Sequence, residues 1–411
     1  MPEPLSHVHP WRPAEPDSIE CLQIVYKVVE RCNINCTYCY YFNMGDHTAL
    51  ERPARASPTV TRQLAGWLAQ GCAELKIPRV RISFHGGEPM LLRPSVFDEM
   101  CRIFREEIAP VADLAFSVQT NGTILNDQWL ETFRRHQVGV GVSIDGMGAD
   151  HDRHRLDHRG RSTFALTESN IKALVDSAHS DAARLPSTIS VLDHSVDYRE
   201  TYAYLRGLRI QSMSFLLPDR SADDKEFRSS ALPAAYGDRL FELFEAWFIE
   251  DNPAIQIRFI DEALKHFRVG IPPGPISKRR KNVQILIVRS DGTVVLDDSY
   301  IPALKWYSTA PVYAITSSTV REVLSDPVFL RIEELTRDLP RDCRSCRWRE
   351  MCRGGDLENR YSCETGFDNP SVYCDTYKTF YVKLCELLQC QGYPAEEIDR
   401  RFGGDTKAFF S

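Results

Sequence analysis

Cys32-Asn-Ile-Asn-Cys36-Thr-Tyr-Cys39 directly follows the apolar run Leu22 to Val29. The run reads as a strand, so the three thiols stand on the loop that leaves it. Three thiolates at C-x3-C-x2-C spacing can hold three irons of a four-iron cluster and leave the fourth without a protein ligand. An open iron is a place where a cofactor binds and reacts. With 13 cysteines in 411 residues, chance supplies this spacing roughly 0.01 times per chain, so coincidence is a poor explanation. Zinc competes for the thiols, but a structural zinc takes four ligands, and the nearest downstream donors, His47 and Cys72, fall at no paired spacing.

A hydrophobic fraction of 43% with 26% charged residues describes an ordinary globular protein, and 411 residues predict two or three domains. The net charge of −7 gives no footprint for nucleic acid. The one dense basic run, Lys278-Arg279-Arg280-Lys281 beside Pro272-Pro273-Gly274-Pro275, reads as a solvated loop. Met1 to Glu20 carries five prolines and no apolar core of a signal peptide, and no stretch approaches a membrane span. A cytoplasmic location is expected. Cysteines in a reducing compartment argue for metal or redox chemistry rather than a disulfide framework. Cys21, Cys72, Cys101, Cys385 and Cys390 read as ordinary buried or helical cysteines.

Between Leu22 and about Pro218, short β-branched runs alternate with longer helical segments. The expected strands are Leu22–Val28, Arg79–Phe84, Leu114–Gln119, Val138–Ile144, Thr188–Leu192 and Met213–Leu217. The expected helices are Val60–Leu75, Ser95–Ile108, Asp127–His136, Phe164–Ser177 and Tyr198–Leu208. Six such repeats predict an α/β fold with a parallel sheet, a partial (β/α)6 TIM-like barrel whose ligands gather at the C-terminal strand ends. Beyond it, Tyr236–Ile249 reads as a helix, Gln284–Val288 and Thr293–Leu296 as a hairpin about Asp291-Gly292, and Ser318–Arg331 as a further helix.

The remaining motifs fall at those strand ends. His85-Gly86-Gly87-Glu88-Pro89 follows the second strand, and its glycines let backbone approach a ligand closely. Gln119, Thr120 and Asn121 end the third strand, Ser143 and Asp145 the fourth. Such polar side chains are expected to hold a ribose or a substrate. His151-Asp152-Arg153-His154-Arg155 comes next; Arg155 offers a fork for a carboxylate, and His151 and His154 read as solvated.

The tripod and the Gly86-Gly87-Glu88-Pro89 loop about fifty residues on resemble the radical SAM enzymes. The resemblance implies a [4Fe–4S] cluster on Cys32, Cys36 and Cys39 that chelates S-adenosylmethionine. It also implies Tyr38 near the adenine, Gly86, Gly87, Glu88 and Pro89 at the methionyl ammonium, Ser143 among the cofactor contacts, and Arg155 at the methionine carboxylate; Gln119 and Asn121, polar at a strand end, are expected to join those contacts. Reductive cleavage of the sulfonium would then yield a 5′-deoxyadenosyl radical that abstracts a substrate hydrogen.

Cys343-x2-Cys346-x5-Cys352, with Cys374 a further 22 residues on, supplies four thiolates, enough to close a second [4Fe–4S] cluster or to hold zinc. The pattern resembles the SPASM domain of radical SAM peptide maturases, which normally carries two auxiliary clusters. Here Asp297 and Asp356 stand where cysteines of the first auxiliary cluster are expected, so the resemblance implies one auxiliary cluster, with Cys363 surplus. The expected organisation is an extension over 1–20, the radical SAM barrel over 21–225, a connecting region with the hairpin over 226–335, a SPASM-like domain over 336–385 and a helical tail over 386–411.

Cys39-Tyr40-Tyr41-Phe42, Leu216-Leu217-Pro218-Asp219 and Gly366-Phe367-Asp368-Asn369-Pro370-Ser371-Val372-Tyr373-Cys374 further resemble the cyclophane-forming maturases of ribosomally made peptides. The implied reaction joins an aromatic ring carbon to the β-carbon of a nearby residue in a precursor peptide with a leader, with a flavodoxin or ferredoxin as electron donor. A base is needed, and Asp297, Asp298 and Glu88 are the candidates. Two alternatives stand: dehydrogenation of a Ser or Cys side chain in the manner of sulfatase maturases, and a noncatalytic, zinc-stabilised peptide-binding protein.

Overall fold

The computed structural model of the chain describes residues 19–181, 184–268 and 283–402. Most of the N-terminal extension, the Lys278–Lys281 run with its prolines, and the end of the tail lie outside them. The chain divides into two compact units, Met1–Ile189 with Leu208–Ile210 and Arg279–Glu333, and Ser190–Gly207 with Gln211–Lys278 and Glu334–Ser411.

In the first unit, strands β1 (Cys21–Val29), β2 (Arg79–Gly86), β3 (Asp113–Thr120), β4 (Gly139–Ser143) and β5 (Ser187–Val191) lie side by side and parallel, in chain order. Helices α1 (Pro58–Leu75), α2 (Pro94–Ile108), α3 (Asp127–His136) and α4 (Phe164–Asp181) form the crossovers. The α/β parallel architecture expected from the alternation is what the chain adopts. Side chains on β2 alternate: Val80, Ile82 and Phe84 are buried, while Ser83 and His85 between them are half-buried. The apolar face packs on α2, with the Phe84 and Phe97 rings 4.3 Å apart. Burial of each such side chain contributes about 1.5–3 kcal/mol. Helix α1 starts where Ser57 accepts a hydrogen bond from the Val60 N–H at 3.2 Å, with Pro58 at the first turn.

The hairpin is present, with Val288 opposite Val294 and Ile287 opposite Val295. Its first strand, Val283–Val288, also runs parallel to β1, from Cys21↔Val283 to Tyr26↔Val288. The hairpin thus extends the sheet and carries Asp297 and Asp298 to the mouth of β1, a long-range pairing that no local periodicity encodes. The single helix expected over Ser318–Arg331 is two, Val320–Leu324 and Pro327–Arg337. Proline has no N–H to continue a helix, so Pro327 opens a new one.

In the second unit, Ser212–Leu216 pairs with Gln256–Ile257, and the long helices Leu232–Glu250 and Cys374–Cys390 pack together. Phe244 and Phe380 meet edge to face at 6.3 Å. All thirteen cysteines are free thiols. No helix among the described residues is long and apolar enough to cross a membrane.

Candidate functional site

The cysteine loop is zipped to the segment carrying Arg155. Ile34–Cys36 and Arg155–Asp157 form a two-stranded antiparallel ribbon with Cys36 opposite Arg155, extended by the Thr37 N–H donating to the His154 carbonyl at 3.0 Å. The Cys39 N–H closes back on the Cys36 carbonyl at 3.0 Å. Cys32, Cys36 and Cys39 are all half-buried. Burial pushes the Cys32 thiol up to about 12 and Cys36 up to about 11, the latter opposed by Arg155, so a bound metal is what would ionise them. Among the described residues no three His, Cys, Asp or Glu side chains converge on one point as a single metal ion requires. A four-iron cluster does not need that convergence, because each thiolate ligates a different iron.

The close approach allowed by Gly86 and Gly87 is to the root of this loop. The Gly87 N–H donates to the Val29 carbonyl and the Glu88 N–H to the Arg31 carbonyl, both at 2.8 Å. A Cβ on Gly86, where φ is +140°, would lie 2.0 Å from the Val29 oxygen, and one on Gly87 would lie 2.2 Å from the Arg31 oxygen. Glu88 is fully buried and accepts from the Met90 N–H at 2.9 Å, the Thr120 hydroxyl at 2.8 Å and the Asn121 N–H at 2.7 Å. It joins the ends of β2 and β3, so its candidacy as a base is corrected: both carboxylate oxygens are already engaged. Pro89 opens a short 3-10 turn, Pro89–Leu91.

Gln119 Nε2 donates to the Ser143 hydroxyl at 2.9 Å, in space that Gly141 leaves free, since a Cβ there would meet Gln119 Oε1 at 2.3 Å. Asn121 Nδ2 donates to Asn33 Oδ1 at 2.9 Å and points at Cys32 Sγ at 3.8 Å, bracing the tripod. Arg155 is buried; its Nη1 donates to the Tyr38 hydroxyl at 2.7 Å, which donates to Asp145 Oδ2 at 2.5 Å. Arg155 Nε has no partner. A buried guanidinium N–H left open beside the tripod fits the carboxylate of an amino-acid-like cofactor. His151, expected in solvent, is instead fully buried, bonded through Nε2 to the Thr163 hydroxyl at 3.0 Å and packed on Phe164. Burial, then Arg155, pushes it down to about 3. His154 is half-buried, its Nδ1 2.6 Å from the Thr37 hydroxyl.

Across the loop lies a charged group that the sequence reading passed over. Lys27 of β1 is fully buried and ion-paired with Asp298, with Nζ 3.4 Å from the Tyr40 hydroxyl and 4.4 Å from the Tyr41 ring centroid. A lysine inside a largely apolar strand was the available signal. Buried Glu30 accepts from the Tyr41 hydroxyl and from the Ser290 N–H, tying the hairpin to the cysteine loop. The two aspartates differ. Burial raises the Asp298 carboxyl, but the Lys27 charge and hydrogen bond bring it below its ordinary value, whereas burial and the Asp298 charge leave Asp297 raised. His85, its Nδ1 accepting from the Gly86 N–H at 2.9 Å, is lowered to about 4 by burial and then by Lys27.

In the second unit, Cys343 and Cys346 flank a tight turn, the Cys346 N–H donating to the Cys343 carbonyl at 3.2 Å. Cys352 ends the short helix Arg349–Cys352, and Cys374 begins the helix Cys374–Cys390. Burial raises Cys343 to about 11, with Cys352, Cys374 and Cys346 adding to it, so the four thiols lie near enough for their charges to interact. Gly354 and Gly355, both at positive φ, turn the chain back after Cys352. Beneath them Arg360, buried, donates to the carbonyls of Gly355, Leu335, Asp338 and Arg353 at 3.0–3.2 Å. Cys363 is exposed and lies apart, its N–H bonded to Asp223.

Residues 26–193 match the model of the Radical SAM superfamily. The chain is 24% identical, over 87% of its length and 93% of the relative's, to a Cysteine-type anaerobic sulfatase-maturating enzyme of Clostridium novyi. It is also 24% identical to a Serine-type anaerobic sulfatase-maturating enzyme of Bacteroides thetaiotaomicron, over 87% of both. The solved structure "Native anSMEcpe with bound AdoMet and Cp18Cys peptide" superposes with a TM-score of 0.74 at 21% identity, covering 90% of this chain and 98% of that one.

Proposed function

We propose that the chain, whose residues 26–193 match the Radical SAM superfamily model, acts as a radical SAM enzyme that oxidises a side chain of a peptide substrate, starting at a β-carbon. Its cofactors are S-adenosylmethionine and [4Fe–4S] clusters. When bound and reduced they supply a carbon radical able to take hydrogen from an unactivated C–H bond; the protein binds, orients and excludes water.

On this reading Cys32, Cys36 and Cys39 hold the first cluster, and Gly86 to Pro89 set the loop against it. Arg155 pairs with the methionine carboxylate, giving its open Nε–H a partner, and Tyr38 lies beside the adenine. Gln119, Asn121 and Ser143 line the polar rim. Cys343, Cys346, Cys352 and Cys374 hold one auxiliary cluster. Asp298 takes the proton released during oxidation. The observation that supports the reading is the pairing of Cys36 with Arg155 across the ribbon, which brings the cysteine loop and a buried guanidinium to one place.

The proposed product is a carbon–carbon crosslink between an aromatic ring and a nearby β-carbon of a ribosomally made precursor with a leader, the electron coming from a flavodoxin or ferredoxin. The Gly366–Cys374 segment and the aspartates at 297 and 356 support it. A second reading, oxidation of a sulfatase Cys or Ser to an aldehyde, is supported by the full-length similarity to the two sulfatase-maturating enzymes. The test is anaerobic turnover of two peptides, one with an aromatic residue two positions before an aliphatic one and one with a sulfatase-type Cys or Ser. Loss of two hydrogens, with fragments still linked in tandem mass spectra and no hydrazide capture, fits the crosslink. Hydrazide capture of the second peptide fits the aldehyde, and modification of neither contradicts both.

A further inference from the structure

We propose that Lys27 is a positioning residue, fixing the Asp298 side chain beside the cysteine loop as a carboxylate. The inference rests on the reading of Asp298 as the proton acceptor and deepens it. Lys27 has no exposure and Asp298 is 6% exposed, so neither charge is solvated, and the ion pair is what makes both tolerable. The ammonium is boxed in: the Tyr40 hydroxyl accepts at 3.4 Å, and the Tyr41 ring offers its face at 4.4 Å. The strand holding Lys27 ends at Val29 and leads directly into the tripod loop, while Asp298 arrives from the hairpin region that pairs with β1. The pair therefore locks a side chain from the far end of the sequence onto the base of the loop.

The groups facing Asp298 are Lys27 on β1, His85 on β2, Tyr40 and Tyr41 on the helix after Cys39, and Asp297 and Tyr307 on its own stretch. His85, lowered by burial, is neutral near neutral pH. Lys27 is the one of these that carries a positive charge there, and Asp297 pushes the opposite way. In proton acceptance the carboxylate takes up one proton and becomes a neutral acid.

The test is infrared spectroscopy of the full-length protein across pH, with carboxyl bands assigned by labelling aspartate with carbon-13. Lys27→Met is expected to show, near neutral pH, a protonated aspartic carbonyl band that is absent from the wild type. The pH of half-protonation should move from below the ordinary carboxylate range to above it. Lys27→Arg should restore the ionised form. The double variant Lys27→Met/Asp298→Asn removes both charges, folds without an orphaned partner and should lose the band. A Lys27→Met spectrum with no new band, or a band that survives in the double variant, overturns the proposal. The band needs no turnover, so it stands or falls apart from the role of Asp298. That role fails separately if Asp298→Asn still completes product formation.

Discussion

The two cysteine sets solve the same problem with different completeness. Near the N-terminus three thiols hang on a loop that leaves a parallel strand, braced by Gly86, Gly87 and Asn121 and zipped to Arg155. Near the C-terminus four thiols lie near one another, beside a turn at Gly354 and Gly355 that the buried Arg360 ties down. Four thiolates close a four-iron cluster, and three leave a coordination site. The added polar equipment follows that difference. The three-thiol site carries an unpartnered guanidinium N–H and a buried aspartate, whereas Arg360 at the four-thiol site spends its donors on backbone carbonyls.

The largest expected effect separates the two sets outright. Cys36→Ala should abolish both 5′-deoxyadenosine release and peptide modification, while Cys374→Ala should lower iron by about four per chain and stop modification without stopping release. Equal loss of release in both variants would erase the functional distinction. Next comes Gly87→Ala, whose Cβ meets backbone at 2.2 Å and cannot be relieved by a rotamer. It should cost about 1–3 kcal/mol in denaturant unfolding and reduce cluster incorporation at the N-terminal set, leaving the C-terminal set loaded. Arg360→Met strands the carbonyls of Gly355, Leu335, Asp338 and Arg353 and should cost about 1–3 kcal/mol, with the reverse pattern of iron loss.

The smallest effect is one of pH. His85 and His151 are held down to about 4 and about 3 against an ordinary 6.5, so the unfolded chain binds protons that the folded one refuses. Their contribution to stability is complete above 6.5 and is lost as pH falls toward 4 and then 3. Amide exchange at residues 79–89 should rise in that window, and His85→Gln should flatten the rise.

The parallel repeats were legible because each strand and helix carries its own period; all six expected strands and all five expected helices, the fifth being Tyr198–Gly207, lie where the alternation puts them. The tripod and the four-cysteine set were legible as spacings. The partnership of Lys27 with Asp298 was not, since it depends on Val283–Val288 joining the edge of β1, a register set by the whole sheet. Glu88 looked like a free carboxylate because sequence does not reveal that Thr120 and Asn121 would satisfy it. His151 looked solvated because its neighbours are charged, yet the ring turns inward onto Phe164.

The most direct measurement is 5′-deoxyadenosine release by the full-length protein, reconstituted with iron and sulfide without oxygen and given S-adenosylmethionine and a strong reductant. The account predicts 5′-deoxyadenosine and methionine in equal amounts, vanishing when Cys32, Cys36 and Cys39 are changed to alanine. Fully iron-loaded protein that releases neither would contradict it.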